Sequence, residues 1–271
     1  MSFQPVVLFG GFAGWAFLVR TRDNQQQAFN KAPEVQRDTD YFRENIAGAL
    51  SAEDLTSDRR LMRIALGAFG LNDDINNTYF IRKVLEGGTL DDSDLANRLS
   101  DKRYLALSKA FGFGDLNPAN TQLSDFPDKI IELYQNRQFE IAIGEQDQDM
   151  RLALGLEREL DEILSRTTSD DGYWFLVMGT PQLRSVFETA LGLPSALGAL
   201  DLDQQLGIFR DRAQSAFGNG EVAQFSEPEV RDKLVRRFLA LAQLDNGTSL
   251  TVPGSVALSL LQSARQNATL F

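Results

Sequence analysis

The sequence contains neither cysteine nor histidine. Without thiols it has no disulfide, no thiolate nucleophile, no Cys-ligated zinc and no iron–sulfur cluster. Without imidazole it has no Ser-His-Asp triad, no His-ligated zinc and no histidine acid–base step. The chemistry left open is that of carboxylates, lysine, tyrosine, Ser/Thr hydroxyls and all-oxygen metal sites. The lack of cysteine does not fix a compartment. It suits a reducing cytosol, and equally a protein exported without mispairing. Cations are the scarcer charge: 27 Lys and Arg stand against 38 Asp and Glu, a formal −11. No stripe of Lys and Arg with interleaved aromatics overrides that balance, so nucleic acid is not an expected partner. Attraction to anionic lipid is disfavoured for the same reason.

Long apolar runs are missing as well. The stretch "PVVLFGGFAGWAFLV", Pro5 to Val19, is broken by Gly10, Gly11 and Gly14. It falls short of the roughly 20 apolar residues that a membrane-spanning helix needs, so no integral membrane segment is expected. It does not read as a signal peptide either. "MSFQ" before it carries no cation, and Arg20 and Arg22 follow it. Two readings remain open. One is a buried, partly extended segment whose glycines permit close packing or positive φ. The other is an arm that orders on docking to a partner. Gly10 and Gly14 form a GxxxG spacing, which carries little weight outside a long apolar helix.

What is present reads as helix almost throughout. With 271 residues the chain can form one large domain or two modest ones. After a polar connection, "RTRDNQQQAFNKAPEVQRD", apolar residues take helical spacing from Tyr41 to Leu50. Ser51 with Asp54 predicts a capping box. Leu61, Ile64, Ala65 and Ala68 share one face of a helix within Asp58–Phe69. Further helices are predicted at Ile75–Leu85, Ser93–Leu99 and Asp101–Phe111. Asp128–Thr167 reads as one long central helix or as two, with a break at Gly144. Its apolar seam is Met150, Ala153, Leu156, Leu160 and Ile163. Thr180-Pro181 is a helix start, with Thr180 as the cap and proline at the first turn. Asp201–Phe217 is another helix, Ser226-Glu227-Pro228-Glu229 a second capping box, and Pro253 the start of a final helix with Val256, Leu260, Leu261 and Ala264. No segment alternates with period two, so the expected fold is all-α and multihelical, with short glycine-capped helices. The expected organisation is an apolar segment and polar connection over 1–40, then a multihelical domain over 41–271 with possible halves 41–126 and 127–271.

The endings "AFGL", "AFGF" and "ALGL" recur at Gly70, Gly112 and Gly192. In each, glycine follows a helical pattern and an apolar residue follows glycine, the signature of a Schellman ending with glycine in the left-handed region. Leu71, Phe113 and Leu193 should then fold back toward Leu66, Leu107 and Phe187. A phosphate cradle needs glycines opening a helix, and these close one. The first two copies also share an Asp-basic-basic start, at Asp58 and Asp101, consistent with a duplicated helical unit.

No constellation carries clear chemistry. "LNDDINNTYF" fails the calcium-loop pattern in both registers. From Asn72, positions 6 and 12 are Asn77 and Lys83; from Asp74 they are Tyr79 and Leu85, where glycine and glutamate are required. It and "LDDSDLANRL", with Asp91, Asp92 and Asp94, read as helix N-termini. Glu157, Glu159, Asp161 and Glu162 cluster on what reads as a solvated helix face beside Arg158. No Walker, Rossmann or nucleophile-elbow motif occurs. The sequence therefore assigns no catalytic, cofactor-binding or metal-binding residue.

The blocks "GFAGWAFLVRT", "YFRENIAGALSAEDLTSDRRLMRIALGAFGL", "DSDLANRLSDKRY" and "FEIAIGEQDQDMRLAL" resemble an alphaproteobacterial family, the domain of unknown function 1217. The likeness is strongest over Tyr41–Gly70 and Asp94–Tyr104. The genes of that family commonly lie among flagellar genes. The resemblance implies a multihelical fold and a non-enzymatic role in the flagellum or its basal body, with other flagellar proteins as partners. It supplies no catalytic residues. A cytoplasmic export chaperone or adaptor is the alternative within the same setting. An enzyme built on carboxylates and a hard metal is a more distant one.

Overall fold

The structure is a computed structural model that describes residues 3–166 and 168–250. Among these residues it is all-α, with thirteen α-helices, short 3-10 turns between them and no strand. The predicted helix from Pro253 lies outside the described residues. The chain divides into two compact units. Unit 1 is Met1–Val6 with Thr21–Ala142; unit 2 is Val7–Arg20 with the chain from Ile143 onward.

Helix α1 (Gly11–Asn30) gives its first half to unit 2 and its second half to unit 1. This departs from the expected extended segment and polar connection. Arg, Gln and Ala rank high in helix propensity, and nothing between Arg20 and Asn30 breaks a helix. Gln25, only 8% exposed, holds the preceding segment in place. Its side chain accepts from the Val6 amide and donates to the Val6 carbonyl and to Thr21 Oγ1. The next helix, α2 (Pro33–Asn45), opens on proline at its first turn, well before the predicted start at Tyr41.

Unit 1 continues with α3 (Ala52–Ser57), α4 (Arg59–Ala68), α5 (Thr78–Glu86), α6 (Leu95–Arg98), α7 (Arg103–Phe111) and most of α8 (Phe126–Gly144). Helix α4 packs against α2 and α3, and α5 against α3 and α7. Phe42, Ile46, Leu55, Met62, Leu85 and Phe111 are buried in its core. Burying each such side chain contributes roughly 1.5–3 kcal/mol before entropy is counted. The predicted face of α4, with Leu61, Ile64, Ala65 and Ala68, is buried, and the Ser51–Asp54 capping box forms.

Asp58 fixes the start of α4. Its Oδ1 accepts from the amides of Arg60 at 2.8 Å and Leu61 at 3.1 Å, and its Oδ2 accepts from the Tyr41 hydroxyl at 2.6 Å. The Arg60 guanidinium lies 3.7 Å from the centre of the Tyr41 ring. Burial pushes the Asp58 carboxyl upward, but the hydrogen bonds from Tyr41 and the two amides outweigh it and hold the group below its usual value. A lowered folded pKa gives stability that is present above the unfolded pKa and lost as pH falls through the folded one. Asp58→Ala should therefore cost unit 1 about 1–2 kcal/mol near neutrality. The difference from the native chain should shrink below about pH 4. Urea melts of both proteins at pH 7 and pH 3.5 test this, and a difference that grows in acid would refute it.

Unit 2 contains α9 (Gln148–Leu164), α10 (Asp170–Gly179), α11 (Pro181–Leu191), α12 (Leu202–Phe217) and α13 (Pro228–Leu250). Helix α11 packs against α9, α10, α12 and α13. The seam predicted from Met150 to Ile163 is buried throughout. The single long central helix does not occur. The chain breaks after Gly144, and Asp147 restarts it as N-cap of α9 by accepting from the Met150 amide at 3.0 Å. A glycine that costs helix propensity and a strong capping residue three positions on explain the break.

Gly70, Gly112 and Gly192 all lie just beyond a helix with positive φ, at 71°, 70° and 64°. Gly70 and Gly192 make the Schellman pair. Leu71 N donates to Leu66 O and Gly70 N to Gly67 O; Leu193 N donates to Glu188 O and Gly192 N to Thr189 O. Gly112 differs, making the simpler αL ending with one bond from its amide to Ser108 O at 2.8 Å. The two similar stretches thus form α4 and α7 with different endings. At the other ends, two predicted side-chain caps do not form. Thr180 precedes α11, but its hydroxyl donates to Leu176 O. Ser226 donates to Ala223 O, and no Ser226 capping box forms. Both hydroxyls find a carbonyl of the preceding turn within 2.9 Å, which competes with capping.

Candidate interaction surface

The side chains suspected from sequence do not converge. Asp74 accepts from the Tyr104 hydroxyl at 2.6 Å and from Asn77 Nδ2 at 2.7 Å, within a 3-10 turn and not as a helix cap. Asp91 and Asp94 close a turn on nearby backbone amides: Asp94 Oδ2 accepts from the Asp91 amide and Asp91 Oδ1 from the Ser93 amide. The acids of α9 pair with arginines: Glu159 with Arg158, Glu162 with Arg166 at 2.9 Å, and Asp161 with Arg231. Glu157 is exposed. Among the described residues, no group of three or more acidic side chains is placed to hold a metal ion.

The feature that stands out lies in unit 2, where the chain enters α1. Gly11 opens the helix at φ +64°. One turn on, a Cβ on Gly14 would fall 1.7 Å from the Phe9 carbonyl oxygen and 3.1 Å from Met150 Cε. Only glycine lets the backbone of the entering segment come this near to α1. Val7 N also reaches Gln146 Oε1, at 3.4 Å. The result is a cleft of about 410 Å³ lined by Gly10, Gly11, the run Gln146–Asp149, and Leu239 and Gln243 of α13. Its wall carries two carboxylates and three side-chain amides and no Lys or Arg. Of its two carboxylates, Asp147 is already used by the fold, its Oδ1 accepting from the Met150 amide at 3.0 Å.

Apolar side chains adjacent in sequence to the lining residues are exposed. Leu8 is 54% exposed, Phe9 64%, Phe12 41% and Leu244 63%. The Arg236 guanidinium lies 4.7 Å from the Phe12 ring centre, a cation–π contact. The sequence of Pro5–Val19 is compatible with a buried segment or with a docking arm. In the structure Leu18 is buried, while Leu8, Phe9, Phe12 and Val19 are not. Among the described residues, no helix is long and apolar enough to cross a membrane.

Gly14→Ala should displace the entering segment, because the clash is with backbone that cannot rotate away. We expect a loss of about 1–3 kcal/mol and faster amide exchange at Val7–Phe12. Exchange unchanged there would show that the close approach is unimportant.

Residues 68–230 match the model of a family described as a protein of unknown function (DUF1217). The fold is similar to the X-ray crystal structure of protein AGR_C_984 from Agrobacterium tumefaciens, with a TM-score of 0.71 and 29% sequence identity over 87% of this chain and 94% of that one. None of the curated proteins matches the chain.

Proposed function

We propose, from the premise that this chain belongs to the DUF1217 family, that it is a non-enzymatic protein of flagellar structure or assembly, acting through helical contacts with other flagellar proteins. The exposed apolar side chains Leu8, Phe9, Phe12 and Leu244, next in sequence to residues lining an amide-rich cleft, carry this reading. Contiguous apolar surface edged by polar groups is a hallmark of protein–protein contact, and an apolar helix face is the usual means by which one helix engages another. The flagellar setting comes from the family resemblance of the sequence blocks at Gly11–Thr21 and Tyr41–Leu71.

The test compares purified flagella and cytosol by mass spectrometry, in cells carrying the native chain or a Leu8→Asp, Phe9→Asp variant. The native chain should co-purify with flagella, and the variant should fold but be lost from that fraction. Recovery in the cytosol bound to a flagellar client would favour the export chaperone. Unchanged swimming and unchanged hook and basal-body composition after gene deletion would end the flagellar reading.

A further inference from the structure

We propose that the turn at 218–226, which joins α12 to α13, is a proton-sensitive clasp: a proton shared by Glu221 and Asp170 holds it against the start of α10, and the clasp loosens when that proton leaves. This goes beyond the flagellar reading and does not depend on it. The turn is fastened into unit 2 on two sides. Its Gly220 carbonyl accepts from the buried indole N–H of Trp174, on α10, at 2.9 Å. Toward α12, a Cβ on Gly220 would fall 2.8 Å from Arg210 Cγ. Within the turn, Asn219 Oδ1 accepts from the Glu221 amide at 3.0 Å, and Gln224 Nε2 donates to the Glu221 carbonyl at 2.9 Å. The backbone of Glu221 is thereby fixed.

Its side chain meets too few donors. Three carboxyl groups, those of Asp170, Asp171 and Glu221, face one guanidinium, that of Arg210. Arg210 Nη2 donates to Asp171 Oδ1 at 2.7 Å. Its Nε stands 3.6 Å from Glu221 Oε1, beyond hydrogen-bond length, and is buried without a hydrogen-bond partner. Glu221 Oε2 is buried too and, among the described residues, accepts no hydrogen bond from a standing donor. The carboxyl within its reach is that of Asp170, and two carboxylates have no hydrogen to offer each other. One proton between them satisfies both. On α9 and α13, which also pack against this turn, Arg158 pairs with Glu159 and Arg231 with Asp161. Burial pushes the Glu221 carboxyl up, Arg210 pulls it back, and the hydrogen bond to Asp170 with the charges of Asp170 and Asp171 leaves it raised. A raised folded pKa contributes stability that is full below the unfolded value, about 4.3 for glutamate, and is lost as pH rises through the folded value. Acid therefore tightens unit 2 at this turn.

Glu221→Gln keeps the shape of the side chain and gives Asp170 a permanent donor. Both tryptophans of the full-length chain, Trp15 and Trp174, belong to unit 2, so their emission follows its thermal unfolding. In dilute solution the native midpoint should lie about 2–4 °C below that of E221Q at pH 8 and meet it at pH 4. Asp170→Asn supplies the donor from the other side, so the advantage of E221Q measured in that background should shrink. At pH 8 the amides of 221–225 should also exchange faster in the native chain than in E221Q. A native chain more stable than E221Q at pH 8, or a gap of the same size at pH 4 and pH 8, would overturn the proposal. So would an advantage undiminished by D170N, or equal exchange at 221–225.

Discussion

Trp174→Ala is expected to unfold most of unit 2 under conditions where the native chain is intact. Trp174 is fully buried. Its ring lies 5.6 Å from both Phe187 and Phe209, and Phe187 in turn contacts Phe225 at 5.1 Å. Its indole N–H donates to the Gly220 carbonyl at 2.9 Å. Removing the ring deletes the centre of that cluster and leaves a cavity, at about 3–5 kcal/mol. Removing the N–H strands a buried carbonyl at roughly 1 kcal/mol more. Against a typical domain stability of about 5–15 kcal/mol this is a large share. Trp174→Phe keeps ring contacts and loses the hydrogen bond, so its loss should be less than half as great. Urea unfolding followed by far-UV circular dichroism measures both. Equal losses for the two variants would mean that ring volume is not what matters there.

The second large effect is expected at Gly114 in unit 1. A Cβ there would lie 2.2 Å from Gly88 N, 2.5 Å from Gly88 Cα and 2.7 Å from the Glu86 carbonyl oxygen. All three are backbone atoms, so no side-chain rotation relieves the clash. Asp115 ties the same two turns together, accepting from Thr89 N and from Thr89 Oγ1, each at 2.8 Å. Gly88 itself stands at φ +78°. Gly114→Ala must part the ends of α5 and α7 and should cost about 3 kcal/mol. Gly48→Ala is the control. Nothing lies within 4 Å of its Cβ and its φ is not positive, so it should be neutral or stabilising by up to about 1 kcal/mol. If both substitutions shift the thermal midpoint alike, the backbone contact is not what holds these turns.

Helix ends marked by glycine were legible because the cause is local. Gly70, Gly112 and Gly192 need only their own neighbours to adopt the left-handed region. The seam of α9 was legible for a similar reason, since one face is buried and its spacing follows. The second half of α1 was not, because Arg22, Asn24, Gln26 and Gln27 look like a linker when judged by polarity alone. Helix α10 gives no amphipathic period. Its run Tyr173–Met178 is apolar on nearly every side, and a uniformly apolar segment has no face to reveal. Caps were misread where a hydroxyl had two uses, as at Thr180 and Ser226, because choosing between them depends on the preceding turn. The cleft was beyond local reading altogether. Gly10 and Gly11 stood out only as interruptions, and Gln146–Asp149 lay inside an expected helix. Nothing near Leu239 or Gln243 indicates that these three stretches meet.

The exposed phenylalanines of the entering segment also bear on how the protein behaves in bulk. Molecules that display Phe9 and Phe12 are kept apart by like charge, and that repulsion vanishes at the isoelectric point, near pH 4.6. Concentrated solutions should therefore turn cloudy as they are titrated toward that pH and clear again when returned to neutrality. Added salt should bring the onset to higher pH by screening what repulsion is left.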